Sequence, residues 1–256
     1  MRATDALVVL LRLAAATLAL AGTRSIWRDG DLGALVYFTN ISNLSFAVVM
    51  IWAAVASARM RGQPPAVLKG GVTLFLLITG LVSWLVLAPE APDAPVVAFG
   101  LTGGQIEHEV TPVLALVDFV VLDAHRRLRW RAAAYWVVAL LVYCAFSTVR
   151  GLVRPDLGYP YGFVDLAALG WGGLALNVLL YGAAFAVLEL LLVLVDRRLP
   201  RAALLGTAGR APASAASSST APSSTASSST ASSSRAPSST ATPTGPTPPS
   251  READGS

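Results

Sequence analysis

Charge is what this sequence has least of. Only 13% of its 256 residues are Asp, Glu, Lys or Arg, against about 25% in a typical soluble domain. Cysteine is nearly absent: Cys144 stands alone, which excludes a disulfide scaffold. Lysine occurs once, at Lys69, and every other basic position is arginine. Histidine is confined to His108 and His125. What is plentiful is apolar: 54% of the residues are hydrophobic and the mean hydropathy is +0.61. Residues 207–256 are almost wholly Ala, Ser, Thr and Pro, so the remainder of the chain is more apolar still. A soluble globular domain and a long coiled coil are thereby excluded. The net charge of +4 and pI near 9.6 do not point to nucleic acid. The arginines are scattered between apolar runs, with no basic face interleaved with exposed aromatics.

Crossing a bilayer core takes a run of about 20 apolar residues. Six runs qualify, at about Ala6–Gly22, Leu35–Val55, Val67–Ala88, Gly104–Leu122, Ala132–Leu152 and Leu166–Val195. The expected fold is an all-α membrane bundle of six helices over residues 1–200. A disordered Ala/Ser/Thr/Pro-rich tail over 201–256 buries too little apolar surface to offset chain entropy. Arg2, Arg59, Arg61, Lys69, Arg126, Arg127, Arg129, Arg131, Arg197, Arg198 and Arg201 fall on one side of such a bundle. Only Arg24, Arg28, Arg150 and Arg154 fall on the other. The positive-inside rule then predicts a multi-pass protein of the cell membrane with both termini and the tail cytoplasmic. The segment ending Leu18–Gly22 resembles a signal-peptidase site, but Arg12 within the apolar run argues against a cleaved signal.

Polar residues inside those runs are where function would lie, because each costs free energy in hydrocarbon. The second run opens with Tyr37-Phe-Thr-Asn-Ile-Ser-Asn43, which places Thr39, Ser42 and Asn43 on one helical face. The fourth opens with Gln105-Ile-Glu-His-Glu-Val-Thr-Pro112. Thr39 and His108 lie at matched depth, roughly 6–8 Å below the outer boundary at 1.5 Å per residue. A hydroxyl and an imidazole so placed have the chemistry of a base-activated nucleophile, with Asn40 or Asn43 as oxyanion donor. Glu107, Glu109 and Asn177 are expected to support this polar layer, and packing glue is the plain alternative for its hydroxyls and amides. A second layer, Arg12 with Asp118 and Glu189, is expected as a structural ion cluster near the inner side. His108-Glu109 begins like a zinc-protease motif, but Pro112 stands where the second histidine belongs. The sequence therefore calls for no metal and no cofactor.

The segments Tyr37–Asn43, His108–Pro112 and Tyr159-Pro…Asp165…Gly170-Trp…Asn177 together resemble a bacterial family of six-helix membrane proteins without an assigned activity. The resemblance covers about residues 1–200. The first two segments are also similar to the androgen-induced membrane proteins of animals. Those carry a Leu-Thr-Phe-Ile-type segment in an early helix and a His-Thr-Thr-type segment later, with an acidic residue ten positions on. His108 and Asp118 reproduce that spacing. The animal proteins are intramembrane threonine hydrolases of fatty acid esters of hydroxy fatty acids. The resemblance implies Thr39 as nucleophile and His108 as its base. It departs at Asn40, where the animal pattern has an aromatic residue.

Three readings stay open on these residues. The first is an intramembrane hydrolase of lipid esters, with the lipid bilayer as its surroundings and no nucleic-acid partner. The second is a small proton-coupled transporter, resting on carboxylates at two depths. The third is a non-enzymatic scaffold tethered by its tail.

Overall fold

The computed structural model describes residues 2–87, 90 and 93–206; most of the Ala/Ser/Thr/Pro-rich tail lies outside them. The chain is mostly helical, and its long helices run in the order α1 (Ala3–Gly22), α2 (Phe38–Ala58), α3 (Ala66–Leu85), α4 (103–122), α5 (Arg131–Val153) and α6 (Leu166–Arg198). Short helical turns and one small hairpin, Val96–Ala98 with Leu101–Thr102, fill the connections. Among the described residues, five helices are long and apolar enough to cross a membrane: α1, α2, α3, α5 and α6.

The fourth expected span is helical from end to end, but not as one α-helix. It begins as an α-turn, Gly103–Gln105, capped by the Thr102 hydroxyl, and widens into a π-turn over Ile106–Val110. It then returns to α geometry over Thr111–Val117 and widens again over Asp118–Leu122. Pro112 supplies a cause for the first widening. It has no N–H to give the carbonyl of His108 four residues earlier, and its ring crowds that carbonyl. The Thr111 N–H reaches back five residues to Ile106 instead. Single π-turns of this kind are frequent at functional sites.

Small side chains govern the packing of the first half of the bundle. Ala15, Ala16 and Ala19 of α1 meet Phe46, Ala47 and Met50 of α2, so the two backbones approach closely. A second cluster joins Leu74 and Ile78 of α3, Phe119 of α4, Trp136 of α5 and Leu192 of α6. Large apolar side chains also face outward, among them Leu10, Val48, Val138 and Leu179. Such surface is unfavourable in water and at home in hydrocarbon, and with the long apolar helices it marks a membrane protein. Helix α6 is interrupted at Gly170, whose φ of 64° lies in the left-handed region that glycine alone adopts without strain. Its first turn is capped separately by Asp165, which accepts from the Ala168 N–H.

One end of the bundle gathers the starts of α2, α4 and α6; the other gathers their ends. Residues 201–206, assigned from sequence to the tail, run back over the second end. There the Arg201 carbonyl accepts from the His125 N–H and the Leu205 N–H donates to Val121.

Candidate functional site

Thr39 is the second residue of α2, and His108 is the centre of the π-turn in α4. The fold brings Thr39 Oγ1 within 3.2 Å of His108 Nε2. The other ring nitrogen, Nδ1, lies 3.1 Å from the carbonyl of Gly104. A carbonyl can only accept, so Nδ1 carries a proton, and in the neutral ring Nε2 is the acceptor that faces the threonine hydroxyl. The imidazole is thus held in one tautomer by the backbone of its own helix. Gly80 of α3 backs this turn: a Cβ there would stand 2.9 Å from the His108 carbonyl oxygen and 3.1 Å from Pro112 Cγ.

Two tyrosines complete the start of α2. The first N–H groups of a helix have no partner inside it, and Tyr37, which precedes α2, offers no side-chain cap. The Phe38 N–H instead donates to Tyr143 Oη of α5 at 3.2 Å, and the Thr39 N–H donates to Tyr161 Oη at 3.4 Å. Tyr143 passes its own proton to the Val36 carbonyl at 2.9 Å. Tyr161 Oη also lies 3.4 Å from Thr39 Oγ1. Its ring stacks on Phe163 and meets Tyr37 edge-on. Neither hydroxyl belongs to a helical periodicity shared with Thr39, and the Tyr-Pro-Tyr segment reads from sequence as an interfacial anchor.

Asn40 and Asn43 brace the frame of the site. Asn43 donates to the Thr39 carbonyl at 3.0 Å and to the Glu107 carbonyl at 3.4 Å, while its Oδ1 accepts from Thr111 at 2.6 Å. It therefore ties α2 to α4 one turn below the Thr39–His108 contact. Asn40 donates to the Ala34 carbonyl at 2.8 Å and braces the connection into α2. Asn43 thus spends both amide hydrogens on backbone carbonyls, while Asn40 spends one on Ala34. Asn177 lines the cavity described next, but it bonds the Phe163 carbonyl at 3.0 Å rather than the Thr39–His108 layer. It fastens the Tyr161–Phe163 segment to α6. Glu107 turns its side chain toward Gly22 of α1 and presents only its carbonyl to Asn43 and Thr111.

Two cavities flank the Thr39–His108 contact. Thr39 opens on an apolar one, bounded by Phe38, Ile78, Val82, Leu140, Val178 and Phe185, with Tyr161 at the same wall. Its atom-free space, open mouth included, is about 770 Å³. Two further lining residues, Leu141 and Gly182, are exposed midway along α5 and α6, so this cavity has a rim on the bundle's apolar exterior. His108 lines the second cavity, which is wider and mixed in lining, with Glu90, Thr102, Gln105 and Glu109 set beside Leu77, Leu81 and Trp84. The contact therefore stands between an apolar compartment and one whose walls also carry carboxylates.

The expected ion cluster is different in membership. Arg12 meets Asp118 at 2.7 Å, but Glu189 is not part of it. Lys69 and Asp123 close the ring instead: Lys69 Nζ is 2.7 Å from both Asp118 and Asp123, and Arg12 lies 3.5 Å from Asp123. Arg12 also donates to Ser57 at 2.8 Å and to Gln63 at 2.9 Å. All four ionic groups are nearly inaccessible, with Arg12 1% and Lys69 2% exposed. Lys69, counted from sequence among the loop charges, sits in the first turn of α3 and points inward. Glu189 is fully buried on α6, and neither of its oxygens has a hydrogen-bond partner among the described residues. At the same end, Asp196 accepts the N–H groups of Arg127 and Leu128 and lies 3.6 Å from His125.

Neither a protein-family model, nor a curated protein, nor a solved structure matches this chain.

Proposed function

We propose that this chain is a six-span protein of the cell membrane that hydrolyses esters of lipids, with Thr39 as nucleophile and His108 as general base. The segmented α4 is the sixth span, since its 103–122 run reaches about 30 Å at 1.5 Å per residue. Both termini are cytoplasmic in this reading, which sets Thr39 and His108 toward the outer leaflet. The observation that carries the proposal is the 3.2 Å contact between Thr39 Oγ1 and the acceptor nitrogen of a backbone-oriented imidazole. The resemblance to the animal threonine hydrolases points to the same two residues.

The chemistry follows from that contact. Thr39 Oγ1 attacks the ester carbonyl carbon, its proton passes to His108 Nε2, and the carbonyl π pair moves onto oxygen. Collapse expels the alcohol, which takes the proton back from His108 and leaves an acyl-threonine. Water attacks that ester with His108 again as base, releases the fatty acid and returns the proton to Thr39. The apolar cavity on the Thr39 side suits an acyl chain, and the wider cavity on the His108 side, with its carboxylates, suits the alcohol portion and the incoming water.

The test is turnover of p-nitrophenyl esters of increasing acyl length by the purified protein in mild detergent. Wild type should prefer long acyl chains, and Thr39→Ala and His108→Ala should each abolish turnover while the protein still folds. Full turnover by Thr39→Ala would overturn the assignment.

A further inference from the structure

Asn43 spends both its amide hydrogens on carbonyls, and neither Asn40 nor Asn43 lines the two cavities. The hydrolase reading therefore needs another group to receive the charge that develops on the ester carbonyl oxygen. We infer that Tyr161 is that group: its hydroxyl is the oxyanion donor of the Thr39 site. The inference rests on the proposed hydrolase chemistry and adds a residue to it.

Three observations carry it. Tyr161 Oη lies 3.4 Å from the attacking atom, Thr39 Oγ1, and both residues face the apolar cavity. A carbonyl carbon bonded to Oγ1 holds its oxygen within reach of a donor at that position. The second observation is the direction of the phenol proton. Tyr161 Oη accepts the Thr39 N–H, so its own hydrogen points away from the backbone, toward Oγ1 or whatever is bonded to it. Tyr143, the other hydroxyl at the start of α2, has already spent its proton on the Val36 carbonyl. The third is rigidity. The ring is stacked on Phe163 with 9° between planes, and the Phe163 carbonyl is pinned by Asn177. A donor held in place before the charge appears needs no reorganisation when it does, which is the physical basis of oxyanion stabilisation.

Burial raises the Tyr161 phenol above its ordinary value, so the hydroxyl keeps its proton and donates a hydrogen bond rather than losing it. During attack the proton on Thr39 goes to His108, the carbonyl pair goes to oxygen, and the hydrogen bond from the Tyr161 hydroxyl to that oxygen shortens. No proton leaves tyrosine, and the bond relaxes again when the alcohol departs. Asn177 is in this account a positioning residue, acting through Phe163 on the ring.

The experiment measures kcat and KM for p-nitrophenyl palmitate with wild type, Thr39→Ala, Tyr161→Phe, and protein carrying 3-fluorotyrosine at position 161. Loss of one oxyanion donor lowers kcat about a hundredfold to a thousandfold, so Tyr161→Phe should fall by that factor with KM little changed. The fluorinated phenol, a stronger donor in the same ring, should raise kcat above that of wild type. A merely structural tyrosine would not respond to phenol acidity. Loss of turnover in Thr39→Ala together with wild-type kcat in Tyr161→Phe overturns the Tyr161 assignment and leaves the hydrolase reading standing. Turnover that survives Thr39→Ala overturns both. If Tyr161→Phe fails to fold, the fluorotyrosine protein decides, and a kcat equal to that of an incorporated ordinary tyrosine counts against the assignment.

Discussion

Replacing Lys69 with methionine should damage this protein more than its place beside a loop suggests. Lys69 Nζ lies 2.7 Å from Asp118 Oδ2 and 2.7 Å from Asp123 Oδ1, in a ring that Arg12 completes. The ring holds equal numbers of cations and anions, so its removal leaves two buried carboxylates sharing one guanidinium. Breaking a buried pair by deleting one partner costs about 3–5 kcal/mol, mostly because the abandoned charge stays out of water. At about 2–4 °C per kcal/mol for a domain of this size, the melting temperature should fall by roughly 6–20 °C. Removing Asp123 as well restores neutrality and leaves the 2.7 Å Arg12–Asp118 pair intact. The double variant Lys69→Met/Asp123→Leu should therefore melt above Lys69→Met alone. The assay is thermal unfolding in mild detergent, followed by tryptophan fluorescence and by recovery of the monodisperse peak on size exclusion. A Lys69→Met protein that melts with wild type, or a double variant that loses the sum of the two singles, would refute the ring as a coupled unit.

Further perturbations probe the rest of the polar interior. Glu189→Leu removes a fully buried carboxylate whose oxygens are unbonded among the described residues, and it should leave the melting temperature unchanged or raise it; a loss as large as that of Lys69→Met would contradict the absence of a partner. Asn43→Ala removes the acceptor that Thr111 meets at 2.6 Å and the donor to the Thr39 and Glu107 carbonyls, and should destabilise by about 1–3 kcal/mol in a detergent melt. Gly80→Val drives a side chain against the His108 carbonyl and Pro112, and overpacking of this kind costs about 1–3 kcal/mol. Because that strain falls on the π-turn, esterase turnover should drop further in Gly80→Val than in an equally destabilised variant on the far end of the bundle.

Much of the bundle is legible in the sequence because hydrocarbon length leaves few choices: four of the apolar runs are single long helices and a fifth is interrupted near its start at Gly170. The run over 103–122 needed more than hydropathy, since Pro112 and the polar Glu107–Glu109 triplet divide it into α and π pieces. The approach of Thr39 to His108 was visible as matched depth on two helices, which rise per residue alone provides. Which nitrogen faces the hydroxyl was not, because it depends on the Gly104 carbonyl one turn away. The hydrogen bonds of Asn40 and Asn43 to Ala34, Thr39 and Thr111 were not legible either, since they depend on backbone groups of the turn before α2 and on α4. Lys69 was misread for a related reason. It lies four residues past Pro65 and resembles a boundary charge, yet the first turn of α3 swings it inward. Tyr161 and Asp123 follow no period shared with their partners, so only the tertiary packing brings them to Thr39 and to Arg12.

Covalent capture of Thr39 bears on the central claim most directly. The purified protein, held in mild detergent, is treated with an alkyl fluorophosphonate, digested and mapped by mass spectrometry. The account predicts a phosphonyl adduct on the peptide bearing Thr39, formed in wild type and absent from both Thr39→Ala and His108→Ala. Adduct formation that persists at another residue in Thr39→Ala, or unmodified Thr39 in a protein that hydrolyses long-chain esters, would contradict it.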